Sequence, residues 1–255
     1  MGKMTACEGC TTAGSVEFAV DITMAFQPIV DIPNQCVWGY EALVRGRNGE
    51  SAFEVLSHVT PDNKYLFDQR CRVLAVELAA EHMPERSDAM LSINFMPNAV
   101  YEPKACIRAT LAATARTGFS PSRLMFEFTE SEQITDTAHI RHIVTEYGRM
   151  GFTTAIDDFG AGFAGLGLLA EFQTDIVKID MALVRDLDLS ASRRAILAGI
   201  IEMSRQMGFK ILAEGVETEA EATVLRDAGV TLMQGYFFAK PQVEHFCPAV
   251  KINWV

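Results

Sequence analysis

Two adjacent carboxylates, Asp157 and Asp158, stand where the apolar run from Phe152 to Ile156 ends and a loop bearing Gly160 and Gly162 begins. The run reads as a buried strand. Two like charges at its end repel each other and are costly to hold away from water. A cation is therefore expected nearby, and hard divalent ions take carboxylate oxygens. An exposed turn could carry the same pair without a metal, so the rest of the chain must decide. Polar residues follow short apolar runs again at Glu41, Asn94, Glu127, Lys178, Glu214 and Gln234. Singly, each has an ordinary reading: Glu127 as a helix cap, Asn94 in a turn, Lys178 at the surface. Repeated at one strand end after another, they converge if the strands are parallel, because in an α/β barrel all the carboxyl ends share one face. The set holds no histidine or cysteine. Oxygen donors of this kind suit Mg²⁺ or Mn²⁺ and argue against zinc or copper. Neighbouring acids can bridge two such ions about 3.5–4 Å apart, activate a water and clamp a phosphoryl group. Lys178 could assist that water or stabilise phosphate charge. The chemistry implied is metal-dependent hydrolysis of a phosphate ester.

The elements that must position these groups are legible in the apolar periodicity. Met24–Asp31 and Val37–Val44 read as strands joined by a tight turn at Pro33-Asn34, hence as an antiparallel pair. Further strands are expected at 89–94, 124–126, 152–156, 175–177, 210–213 and 231–233. Helices are expected between them at 63–82, 103–117, 136–150, 164–172, 191–207 and 219–227. Alternating strands and helices imply a parallel sheet with crossover helices. Eight strands in 255 residues point to a modified TIM (β/α)8 barrel with one antiparallel strand. Residues 1–20 read as a loose leader and 21–255 as the barrel domain, with an irregular tail from Pro241.

A hydrophobic fraction of 49% is enough for a sizeable core, and a net charge of −11 opposes binding to a nucleic acid polymer through a basic surface. Cys7 and Cys10 lack the second close pair that a zinc ribbon needs, and the other four cysteines read as reduced core residues. No apolar run reaches the roughly 18 residues of a membrane span, and no secretory signal is visible, so a cytoplasmic location is expected.

Glu41-Ala42-Leu43, within Tyr40-Glu41-Ala42-Leu43-Val44-Arg45, resembles the signature of the EAL family of cyclic di-GMP phosphodiesterases. The similarity runs from about Phe26 to Pro241. It includes Gln27-Pro28-Ile29-Val30, Ser92-Ile93-Asn94, Glu127-Phe128-Thr129-Glu130, Asp157-Asp158-Phe159-Gly160, Val177-Lys178-Ile179-Asp180, Glu214-Gly215-Val216-Glu217 and Gln234-Gly235-Tyr236, in the family's order. The resemblance implies hydrolysis of cyclic di-GMP to linear pGpG with two Mg²⁺ or Mn²⁺ ions. It implies that Glu41, Asn94, Glu127 and Asp157 hold the first metal, and Asp157 and Asp158, with Glu214, the second. Lys178 would position or deprotonate the attacking water, with Glu41 and Glu214 also in the catalytic set. Arg45 would contact substrate phosphate, and Gln27, Glu217 and Gln234 would support substrate or metal. Glu130 would brace the loop after Asp158, and the chain would form a homodimer. Ala164-Gly165 departs from the serine pair that many members carry, which bears on that loop and not on the ligands. The alternatives are a catalytically silent cyclic di-GMP receptor or protein-interaction module, and a barrel enzyme for another phosphodiester.

Overall fold

A computed structural model describes residues 18–84, 87–129, 136–162 and 165–255. The expected leader, Cys7 and Cys10 within it, Glu130 and Ala164 lie wholly or largely outside these residues. Phe18, placed in the leader by sequence, is buried against Phe67, with ring centroids 4.9 Å apart.

Eight strands close a barrel: β1 (Ile22–Asp31), β2 (Cys36–Gly46), β3 (Met90–Asn94), β4 (Leu124–Thr129), β5 (Thr153–Phe159), β6 (Ile176–Ile179), β7 (Lys210–Ala213) and β8 (Leu232–Met233). Strands β2 to β8 pair in succession and in parallel, whereas β1 runs antiparallel to both β2 and β8. The modified barrel expected from the sequence is therefore the observed fold. Helices α1 (Ala52–Ser57), α2 (Lys64–His82), α3 (Pro103–Cys106), α4 (Arg108–Thr117), α5 (Thr137–Arg149), α6 (Gly165–Glu171), α7 (Met181–Val184), α8 (Ala191–Met207) and α9 (Glu219–Asp227) lie in the connections.

Three details differ from expectation. The helix expected over 103–117 is two segments separated at Ile107, where φ −78° and ψ −13° tighten the turn without reversing it. Helix α1 is additional, and its start was signalled by Ser51-x-x-Glu54, which forms a capping box. The tail after Pro241 is not irregular throughout. Gln242–Val243 forms a ninth strand, β9, antiparallel to β1. The reason is an exposed edge. β8 pairs only with Val30 and Asp31, so the early half of β1 would present unpaired backbone groups. β9 covers Ala25 and Phe26 on that same side.

The tail also replaces a crossover helix. No helix links β1 to β2, so their outer face needs another cover. Phe246 provides it, stacking on Phe26 at 4.1 Å and meeting Tyr40 edge-on at 4.8 Å, while Tyr40 Oη donates to the Cys247 carbonyl at 2.8 Å. Cys71, Cys106 and Cys247 are buried as expected, but Cys36 is exposed because it opens β2 at the hairpin turn. Replacing Phe246 by Ala removes a buried ring from a site with little freedom to collapse. It should cost about 3–5 kcal/mol, read as a lowered urea midpoint at unchanged slope.

Candidate active site

Strand periodicity builds this site. The barrel's inner floor is an apolar layer of Ile29, Met125, Ala155, Ile176, Leu212 and Leu232, with Trp38 and Met90 packed against it. Successive side chains on a strand alternate faces, so the residue two places on points inward again, one layer nearer the mouth. Met125 is followed by Glu127, Ala155 by Asp157, Ile176 by Lys178, Leu212 by Glu214 and Leu232 by Gln234. On the reversed strand β1 the count runs backwards, from Ile29 to Gln27. Gln27 lies directly opposite Glu41 of β2, and Asn94 opposite Glu127.

Asp158 breaks the alternation. The pairing of β5 with β6 is irregular between Ile156 and Phe159, and Asp158 has φ +56°. A bulge with one residue in the left-handed region re-aims a side chain that would otherwise face outward. Oxygens of Asp157, Asp158 and Glu214 consequently lie within 4.8 Å of one another. A second group of Glu41, Glu127 and Asp157 meets the same limit, and Asp157 belongs to both.

Lys178 stands at the centre, fully buried. Its Nζ lies 2.8 Å from Glu214, 2.9 Å from Asp157, 3.0 Å from Glu127 and 3.9 Å from Glu41. Burial alone would strip its proton, but Asp157, Glu127, Glu214 and Glu41 override that and hold it well above the ordinary lysine range. The acids divide unequally around this one charge. Burial raises Glu127 well above the carboxylate range, against the pull of Lys178 and with the help of Glu41 and Asp157. Glu214 rises for the same first reason, reinforced by Asp157. Asp157 is lowered: burial opposes its ionisation, and Lys178 and a hydrogen bond from Glu214 outweigh it.

Polar neighbours fix the carboxylates. Asn94 Nδ2 donates to Glu41 Oε1 at 3.1 Å and to Glu127 Oε1 at 2.9 Å, and Ser92 Oγ donates to Glu127 Oε2. Gln234 Nε2 donates to Glu41 Oε2 at 2.7 Å and to Gln27 Oε1 at 3.2 Å, while Gln27 Nε2 donates to the Ala239 carbonyl. Gly235 permits this arrangement, since a Cβ there would lie 2.0 Å from the Val216 carbonyl oxygen. Ser92 was not singled out from the sequence as a site residue, although it lies two places before Asn94 and so on the same strand face.

Two sequence candidates sit apart from the cluster. Arg45 shares the inward side of β2 with Glu41 but lies four residues, or about 13 Å, nearer the mouth. Its Nη1 donates to the Val44 carbonyl at 2.7 Å. Glu217 does not join the carboxylates. It is 46% exposed and pairs with Arg185 Nη2 at 3.0 Å, because the chain turns away at Gly215, φ +64°.

The donor set fits a divalent cation. It consists of carboxylate oxygens, with an amide whose half-turn would present Oδ1 in place of Nδ2. Two of its acids are raised by burial first and by neighbouring carboxylates second, and a hard cation would offset both. A cavity of about 530 Å³ opens beside it, bordered by Glu41, Asn94 and Asp157 and otherwise largely apolar.

The fold and mouth define an α/β barrel with an acidic, lysine-centred site at its carboxyl end. Residues 18–241 match the model of the EAL domain, and the chain belongs to the EAL domain family. A standalone EAL protein from Vibrio cholerae O395, solved in its c-di-GMP-bound form, shares 51% identity at a TM-score of 0.87, over 92% of this chain and 97% of that one. Klebsiella pneumoniae BlrP1, solved with manganese and cyclic di-GMP, shares 32% identity at a TM-score of 0.82, over 89% of this chain and 57% of that one. Among curated relatives, the blue light- and temperature-regulated antirepressor BluF of Escherichia coli K12 is 33% identical over 220 residues. The match covers 86% of this chain and 54% of BluF. The probable cyclic di-GMP phosphodiesterase PdeA of the same strain is 27% identical over 221 residues, covering 80% of this chain and 30% of PdeA. The chain thus spans about half the length of BluF and under a third of PdeA.

Asp158 gives a pH prediction for metal-free protein. Burial first, then the charges of Asp157 and Asp180, push its carboxyl up to about 6. Its unfolded value is near 3.9. Between these values the folded state binds more protons, so this contribution to stability falls as pH rises from about 4 to 6 and stays low above. Asp158→Asn, which tolerates the left-handed backbone, should therefore match wild type at pH 4 and exceed it at pH 8. Because Asp158 is half-exposed, about 1 kcal/mol is expected after screening, measured by urea titration in chelator.

Proposed function

We propose that this chain hydrolyses cyclic di-GMP to linear pGpG, using two divalent ions, Mg²⁺ or Mn²⁺. The supporting observation is the convergence of two three-carboxylate groups on a shared Asp157, with a buried lysine between them. The family membership and the cyclic di-GMP seen in similar structures supply the substrate. In this reading Glu41, Asn94, Glu127 and Asp157 hold one ion, and Asp157, Asp158 and Glu214 the other. Bound ions would supply Lewis-acid charge to the phosphate and a more acidic water. Lys178, a cation set among carboxylates, orients the attacking water and balances developing phosphate charge, which favours positioning over deprotonation. Glu214, once ionised by the positive charge that a bound ion would bring, would take up the water's proton. Arg45 meets a substrate phosphate nearer the mouth. Gln234 and Gln27 hold the Glu41 carboxylate in its orientation. Glu217, held beside Arg185, supports substrate from the rim of the site.

A second reading draws on the similarity to an antirepressor: the domain binds cyclic di-GMP or a protein without turnover. One assay separates the two. Purified protein is incubated with cyclic di-GMP and Mg²⁺ or Mn²⁺ over a range of protein concentrations, and products are resolved by chromatography. Wild type should yield pGpG, and Glu41→Ala should lose at least about 100-fold of that rate while keeping its circular dichroism spectrum. Intact cyclic di-GMP after hours, with binding retained, would establish the receptor reading. Faster cleavage of a linear dinucleotide would assign the site to another phosphodiester. We also propose a homodimer acting in the cytoplasm, which sedimentation and fractionation test. Among the described residues no helix is long and apolar enough to cross a membrane.

A further inference from the structure

A second buried ion pair lies outside the barrel. Asp68 and Arg72, one turn apart on α2, are 2% and 0% exposed, and Arg72 Nη2 sits 2.7 Å from Asp68 Oδ2. Full burial of a charged pair is costly, and apolar residues of similar volume commonly serve stability as well or better. The pair's contact with the rest of the molecule shows what it holds. Asp68 Oδ1 accepts the backbone N–H of Met96 at 2.9 Å. Met96 follows Asn94 by two residues, in the segment that leaves β3.

That segment needs holding. Ile93, Asn94, Phe95 and Met96 all border the 530 Å³ cavity, and Asp68 lines the same cavity. Packing is therefore missing on that side of the segment. Backbone anchors hold it elsewhere: Phe95 N–H donates to the Glu127 carbonyl at 2.9 Å, and Ala99 N–H to the Met96 carbonyl. Asn94 in turn bridges Glu41 and Glu127 through one nitrogen. A shift of the backbone at Met96 would move the amide that sets the spacing of two carboxylates.

We propose that Asp68 is a positioning residue: its side-chain oxygen pins the Asn94–Met96 segment against the open cavity, fixing Asn94 for cation binding, and Arg72 supplies the charge that lets a carboxylate be buried there. The inference rests on the reading that this mouth binds divalent metal.

The test uses two double variants and a metal titration without substrate. Asp68→Leu with Arg72→Met removes both charges together and leaves the Met96 N–H without its acceptor. Asp68→Asn with Arg72→Met removes both charges but keeps an acceptor oxygen. Mn²⁺ affinity is read by calorimetry and by the electron paramagnetic resonance of bound Mn²⁺. The leucine pair should bind Mn²⁺ about 10–100-fold more weakly than wild type, and the asparagine pair should return to within about threefold. Equal affinity in all three proteins, or equal loss in both variants, overturns the inference. If the leucine pair does not fold, hydrogen exchange in wild type decides. Slow exchange of the Met96 amide supports the pin, and exchange at the rate of a free loop amide rejects it. Wild type that binds no Mn²⁺ sinks this inference and the metal-dependent function together, whereas wild-type binding unchanged in the leucine pair sinks this inference alone.

Discussion

Lys178 is the constraint from which the mouth of the barrel follows. One ammonium, itself fully buried, stands within 3.0 Å of three carboxylates and 3.9 Å of a fourth. Without it the acids would repel one another apart or all take protons. With it they are held close, but one positive charge does not neutralise them. Burial and that shortfall together leave a graded set, with Asp157 driven toward ionisation and Glu127 and Glu214 driven from it. A site in that condition is stable enough to fold and still short of positive charge. Structural order and an unmet demand for positive charge thus sit in the same cluster.

Geometry distributes these groups by a simple rule with one exception. Inward positions recur every second residue, so a floor of apolar side chains is followed by a layer of acids, amides and the lysine. The reversed strand obeys the rule in the opposite chain direction and brings Gln27 to the same height. The exception is Asp158, whose left-handed backbone and bulged strand turn a residue inward out of phase. Strain of that kind tends to accompany function, and here it doubles the carboxylate content of one strand end.

Much of this was legible in the chain. The alternation of apolar runs with helical segments gives the barrel, and polar residues at strand ends give Glu41, Asn94, Glu127, Asp157, Lys178, Glu214 and Gln234. Helical spacing separates the strands in the first case, and in the second a strand's period of two links a side chain's direction to its place in the sequence. Legibility fails where contacts depend on packing between distant elements. Glu217 belongs to the motif that begins at Glu214, yet a turn at Gly215 sets it beside Arg185 and away from the carboxylates. Asp68 and Arg72 read as ordinary helix residues, since nothing local says that both are buried under the segment after β3. Strand β9 is two residues long, too short for a periodic signal, and exists because β8 leaves an edge of β1 unmet.

The position of β1 carries a consequence for biosynthesis. Its partners on one side are β8 and β9, more than 200 residues later in the chain. Gln234 reaches Glu41 across 193 residues and Gln27 across 207. As the chain leaves the ribosome, the first hairpin can form early, but its outer edge and its apolar outer face wait for the last segments to appear. Non-local pairings of this sort are slow to form and leave sticky surface open meanwhile. The carboxylate that opens the signature motif is thus among the first site residues made and among the last to acquire its final neighbours.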